Sequence, residues 1–169
     1  MKIILETKRL YLREFIPLDG YHFFHLNNDP EVIKFTGDEA FESLDEAYDF
    51  IKNYSEYKNN GFGRWAVCLK ETKEFLGWCG LKFVKDKNET DLGFRFYKTH
   101  WGNGFATEAA IASVNYGFSK LKISEIIGRA SIENKASLKV LKKCSFKFKE
   151  QFIYNNQPSV LYTIKNDKY

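Results

Sequence analysis

The stretch HWGNGFATEA, residues 100–109, sets two glycines around an asparagine, directly against a segment with strong helix propensity. A helix beginning near Gly104 has four backbone N–H groups without internal partners, and its macrodipole adds partial positive charge at that end. Glycines there let a ligand reach bare backbone, so the junction suits an anion, most often phosphate. The candidate donors are the amides of Asn103, Gly104, Phe105, Ala106 and Thr107, while Ala106, Ala109 and Ala110 would let the helix lie close to a sheet. A plain turn that uses glycine for its backbone angles is the competing reading of a lone Gly-x-Gly.

Three phosphate-binding modes can be weighed. A P-loop is excluded, because no Gly-Lys-[Ser/Thr] follows. A dinucleotide fingerprint accepts Gly102 and Gly104 but requires Gly or Ala where Thr107 stands, and it belongs in a fold's first βαβ unit rather than beyond mid-chain. Glu125 lies at a tolerable distance for a ribose contact, so an NAD-dependent reductase remains a rival. The third mode rests on more of the chain than this loop.

Working outward, TDLGFRFYK (90–98) reads as the strand feeding the loop, and a helix runs from about Gly104 to Lys120. Upstream, RWAVCLK (64–70) and FLGWCGLKFV (75–84) form a hairpin across the polar turn ETKE. Before them come a strand at 10–15, helices at 17–28 and 29–36, and a helix at 43–60 with Ser43 and Glu46 as a capping box. Downstream follow a strand at 124–131, a helix at 135–144, and strands at 146–154 and 158–165. The order predicts an α/β fold with one central, mostly antiparallel sheet flanked by helices, as a single domain over 1–169.

Composition narrows the class. A net charge of +4 with no basic stripe gives no reason to expect nucleic acid. No apolar run approaches the ~20 residues of a membrane span, and the acidic residue early in MKIILETKRL does not fit a secretion signal. Cys68, Cys79 and Cys144 form no CxxC pair, which fits a reducing compartment and predicts a cytoplasmic protein. His22 and His25 stand three apart on one helix face but lack an evident third ligand, so no metal is expected.

DLGFRFYKTHWGNGFATEA resembles the acyl-CoA motif of the GNAT N-acetyltransferase superfamily, Gln/Arg-x-x-Gly-x-Gly/Ala after a strand. Trp101 takes the Gln/Arg place, and Gly104 and Ala106 are the small residues. The spelling WGxGxATEA is similar to the branch that acetylates N-terminal alanines of ribosomal proteins. TKRLYLREF…D…NDPEVIKF resembles that branch's opening, and IENKASLKVLKKCSF its N-x-x-S-x-x-V-L-x-K-x-G-F segment. The three blocks occur in the family's order and cover most of the chain.

The resemblance implies acetyl transfer from acetyl-CoA, a cosubstrate, to a primary amine within a ternary complex. It places the CoA diphosphate on the amides of Gly102, Asn103, Gly104, Phe105, Ala106 and Thr107. It assigns the pantetheine arm to Asn134 and to the strand around Phe96, where neighbouring strands splay. Lys139, Lys142 and Lys143 either meet phosphates or form a solvated basic face. Asp91 falls where many members carry a carboxylate base, usually Glu; a strand-edge charge is the alternative. Leu141 stands where many members place a Tyr acid, so Ser137 is the candidate donor to the thiolate, with local capping as its other reading. Ser145 replaces the expected Gly after the helix. Glu108 fits dipole stabilisation better than catalysis. A covalent acyl-cysteine route finds no activating partner near any Cys.

Seven carboxylates between Asp29 and Glu46, against Lys34 as the lone base, either form a solvated helix-rich surface or would draw a cationic acceptor: a peptide N-terminus or a small cationic amine. A monomer or homodimer is expected. A non-catalytic acyl-CoA sensor on the same scaffold is the second rival.

Overall fold

Strands β2 (Leu10–Arg13) and β3 (Arg64–Leu69) bury their side chains toward both faces, so helices must cover the sheet on two sides. Leu10, Leu12, Trp65 and Val67 join one core with Ala109, Ala110, Val114 and Leu141. Tyr11, Ala66 and Cys68 join the other with Phe23, Leu26, Val32 and Ile51. The computed structural model describes residues 1–166.

The remaining strands are β1 (Ile3–Glu6), β4 (Phe75–Val84), β5 (Glu89–Phe96), β6 (Glu125–Ser131), β7 (Lys147–Tyr154) and β8 (Gln157–Lys165). Together the eight form a single sheet in the order β1-β2-β3-β4-β5-β6-β8-β7. Every neighbouring pair is antiparallel except β5–β6, which is parallel and registered only at Asp91 opposite Ile127. Beyond that point the two strands separate. The mixed α/β architecture with a splay at β5 is as the sequence implied.

Helices α1 (Asp19–Asn27), α2 (Pro30–Ile33), α3 (Leu44–Lys52) and α4 (Glu56–Asn60) precede β3; α5 (Phe105–Ser119) and α6 (Lys135–Lys143) follow β5 and β6. The expected 43–60 helix is thus two helices. Tyr54 leaves the axis, and its hydroxyl accepts the Arg64 amide at 2.7 Å. The Ser43 hydroxyl does cap α3 by accepting the Glu46 amide, while the Glu46 carboxylate returns to the amide of Glu42 rather than Ser43. The expected helix at 17–28 starts later, at Asp19, whose buried carboxylate takes both guanidinium nitrogens of Arg13 at 2.6 and 2.7 Å and the Ile16 amide. Removing one partner of such a pair costs about 3–5 kcal/mol. Strand β1 carries no alternation and went unread; it exists by pairing with β2. At the end of α6, Ser145 occupies the left-handed region at φ +66°, and Phe146 N–H donates to Leu141 O at 3.1 Å. The cap is a Schellman turn with serine in the place glycine favours.

Candidate active site

Gly102 and Gly104 both adopt φ +79°, bracketing Asn103. That alternation turns successive amides toward one side. Gly104 is the N-cap of α5, and the first intrahelical bond is Glu108 N–H to Gly104 O. The backbone N–H groups of Gly102 through Thr107 meet no acceptor among the described residues. A side chain on Gly102 would meet nothing within 4 Å, so the approach is open. This open set of unpaired donors fits a diphosphate.

The loop is fastened from behind. Asn103 Nδ2 donates to the carbonyls of His100 and Trp101, and Arg9 Nη1 donates to Asn103 O at 3.1 Å. The Arg9 guanidinium also lies 4.5 Å over the Phe105 ring and bonds Glu108 at 2.7 Å. Thr7 Oγ1 and the Arg9 amide complete the grip on Glu108. Burial pushes the Glu108 carboxyl upward, but these donors outweigh it and hold the group below the ordinary range. Glu108 therefore ties α5 to the β1–β2 turn. Arg9 is a site neighbour that the sequence reading missed, because its partners lie some ninety residues away.

The splay lies beside this loop. Past Asp91 the backbone of β5 has no registered partner on β6. Phe96 is buried in the core, and its carbonyl already accepts Trp101 Nε1 at 2.9 Å. Across the gap, Asn134 caps α6: its Oδ1 accepts the Ser137 amide at 3.0 Å, and its Nδ2 has no partner among the described residues. Both residues are part-buried, and the Ser137 hydroxyl is likewise unengaged there. Leu141 is buried beneath α6, packed close over Gly128. Lys139, Lys142 and Lys143 are exposed. His100 sits 3.3 Å from Glu74, its ring near Phe105.

Asp91 stands where the strands part. Its Oδ2 accepts Arg64 Nη2 at 2.5 Å, while Oδ1 lies 3.7 Å from Arg129 Nη1, too far for a hydrogen bond. Arg129 bonds Glu89 instead. On the same sheet face, Arg95 bonds Asn27 and Asp38, and its guanidinium lies 5.3 Å from the Trp78 ring. Farther along β6, a cavity of about 220 Å³ opens between residues 33–38 and the β7–β8 turn. Lys34, Asp38, Ser131, Tyr154, Asn155 and Ser159 are among its walls. Ser131 is four residues beyond Ile127, about 13 Å along the strand from the level of Asp91.

Of the acidic segment, Asp29 caps α2, Glu46 bonds the Glu42 amide and Asp38 pairs with Arg95, so its charge is partly committed within the fold. The three thiols are buried, which drives Cys79 up to about 12, Cys144 up to about 11 and Cys68 above its usual value. None is a thiolate at neutral pH, which disfavours an acyl-cysteine route. His22 stacks on Phe75 at 4.2 Å and meets the Tyr97 hydroxyl at 3.0 Å, and burial lowers its pKa. Among the described residues no three His, Cys, Asp or Glu side chains gather as metal ligands would, and no helix is long and apolar enough to cross a membrane.

A parallel splay beside a bare-amide loop at a helix start is the arrangement that the sequence's resemblance to an acyl-CoA-dependent transferase implies. The family model for the GNAT acetyltransferase domain matches residues 9–147, and the chain belongs to that family. It is 33% identical over 158 residues to the Bacillus subtilis (strain 168) protein named Uncharacterized N-acetyltransferase YoaA, covering 90% of this chain and 89% of that one. A GNAT-family acetyltransferase structure from Bacillus anthracis superposes with a TM-score of 0.82 at 25% identity, over 98% of both chains. Spermidine N-acetyltransferase from Vibrio cholerae, in complex with CoA and spermine, gives 0.79 at 22% identity over 94% of this chain and 96% of that one. The protein is an acetyl-CoA-dependent N-acetyltransferase.

Proposed function

We propose that the chain transfers an acetyl group directly to a small primary amine held on the sheet face above Asp91 and Ser131. Acetyl-CoA, when bound, supplies the acyl thioester. The unpaired amides of Gly102–Thr107 carry this reading: they offer a diphosphate six donors at the positive end of α5. Phe96 and its strand would flank the pantetheine arm, with Asn134 Nδ2 as a donor from across the splay.

An alkylamine is mostly protonated at neutral pH, so a base must take its proton before attack. Asp91 Oδ1, the oxygen without a hydrogen bond, is the acceptor for that proton, directly or through one water. As the amine nitrogen bonds the carbonyl carbon, the carbon–sulfur bond breaks, the electron pair leaves on sulfur, and the surplus proton still on the new amide nitrogen passes to the thiolate or to water. The Ser137 hydroxyl, unengaged near the α6 start, can donate to that sulfur; a thiolate also departs unaided.

The cavity argues for a small acceptor with a polar body. Half of its lining residues carry a hydroxyl or an amide, Lys34 adds a cation, and its one carboxylate, Asp38, is already paired. The V. cholerae neighbour acts on spermidine, a small amine, which supports that size class; a peptide N-terminus presenting one or two residues is the other acceptor that fits.

Calorimetry with acetyl-CoA and with NADH, then thiol release across amino sugars, short peptides and polyamines, tests this. Acetyl-CoA binding with turnover of a small amine is expected. Binding without turnover of any amine would make the chain a sensor, and binding of NADH alone would make it a reductase.

A further inference from the structure

We propose that Arg64 is the positioning residue that aims the Asp91 carboxylate, and that Gly93 is glycine to give it passage; this rests on the reading of Asp91 as the base. Arg64, Gly80 and Gly93 lie in one cross-strand row over β3, β4 and β5. Along that row the Arg64 side chain reaches Asp91, two residues before Gly93. Its Nη1 donates to the Asp91 carbonyl at 2.7 Å and also to Gly80 O, and its Nη2 donates to Asp91 Oδ2 at 2.5 Å. Asp91 is thus gripped at backbone and side chain by one planar fork, leaving Oδ1 as its oxygen without a hydrogen bond. A lysine, with one nitrogen, cannot meet those three oxygens in one plane.

The surroundings are fitted to the guanidinium. A Cβ at Gly93 would stand 2.5 Å from Arg64 Nη2 and 2.6 Å from its Cζ. The Trp78 ring lies 5.6 Å from the same group, and Trp78 Nε1 is buried with no partner among the described residues. An unsatisfied buried donor costs about 1–3 kcal/mol, and the ring's contacts with the Arg64 and Arg95 guanidinium groups act against that cost. The main chain of Arg64 is clamped by two tyrosines: its N–H donates to Tyr54 Oη and its carbonyl accepts from Tyr57 Oη. Only 13% of the Arg64 side chain and 17% of the Asp91 side chain are exposed. Asp is one methylene shorter than Glu, so its reach depends on aim. A misplacement near 1 Å can cost about a hundredfold in rate.

The test is a double-mutant cycle on the full chain with acetyl-CoA and its best amine. Arg64→Lys should lower kcat about ten- to hundredfold with KM for acetyl-CoA unchanged. On top of Asp91→Asn it should cost less than about twofold more. Gly93→Ala, which keeps the guanidinium but displaces it, should lower kcat in the Arg64 protein and do little in Arg64→Ala. Millimolar methylguanidinium should restore part of the Arg64→Ala loss. Urea unfolding of the ligand-free proteins should show Arg64 and Asp91 coupled. Equal losses from Arg64→Lys with and without Asp91, or full kcat in both Arg64→Lys and Gly93→Ala while Asp91→Asn is impaired, would overturn the proposal. Full kcat in Asp91→Asn would instead remove the base reading on which it rests.

Discussion

At Gly102–Thr107 the groups proposed to meet ligand are unpaired backbone amides; around Asp91 they are side chains brought together from β3, β5 and β6. The first region is made by six consecutive residues and one helix dipole. The second needs Arg64, Asp91 and Arg129, which share no local pattern and meet only through strand register. A backbone site depends on φ and ψ and tolerates side-chain change wherever those angles survive. A side-chain site depends on each partner's length and charge. The two regions should therefore fail differently when altered.

The largest difference is expected at Asp91. Asp91→Asn should cut kcat about 10²–10⁴-fold and leave KM for acetyl-CoA nearly unchanged, as steady-state kinetics would read. Gly104→Val should do the reverse. A β-branched residue at φ +79° is strained by at least about 1–2 kcal/mol, so acetyl-CoA affinity should fall about tenfold while kcat at saturation persists. If both variants altered the same parameter, the division between the regions would dissolve. Glu108→Gln should have a milder effect of the same kind as Gly104→Val. It weakens the Arg9 and Thr7 fastening of the loop, raising KM for acetyl-CoA about threefold, within the range of an exposed ion pair. Ser145→Gly, outside both regions, should stabilise the fold by about 1 kcal/mol in urea unfolding by relieving the left-handed serine.

The smallest effect concerns His22. Burial lowers its pKa below the ordinary 6.5, so the unfolded chain binds the proton more readily than the native one. Its contribution to stability is whole above 6.5 and is lost as pH falls toward the native value. The urea midpoint of the wild type should therefore drop relative to His22→Phe on acidification, and a constant gap between the two would refute this.

How much was legible follows the same division. The loop could be read because its chemistry is local: glycine, asparagine and a helix start in a row. The element order could be read from alternation and caps, and the β5–β6 splay came from the family resemblance. The 43–60 helix was misjudged because its break is imposed by a contact with Arg64, not by its own sequence. Asp91 is a candidate by resemblance alone; Arg64, Arg129 and Trp78 were invisible because nothing in a single strand says which side chain will cross to its neighbours. Arg9 escaped for the same reason. The acidic 29–46 segment misled in part, since Asp29, Asp38 and Glu46 are committed within the fold.

The central claim is that bare amides beside Gly104 bind the diphosphate of coenzyme A. Calorimetric titrations can isolate the diphosphate's share with acetyl-CoA, with S-acetylpantetheine, which lacks the diphosphate and the nucleoside, and with adenosine 3′,5′-bisphosphate, which keeps the nucleoside but has no diphosphate. Saturable heat with acetyl-CoA and none with either fragment at matched concentration is expected; an affinity for either fragment equal to that for acetyl-CoA would refute diphosphate binding at the loop.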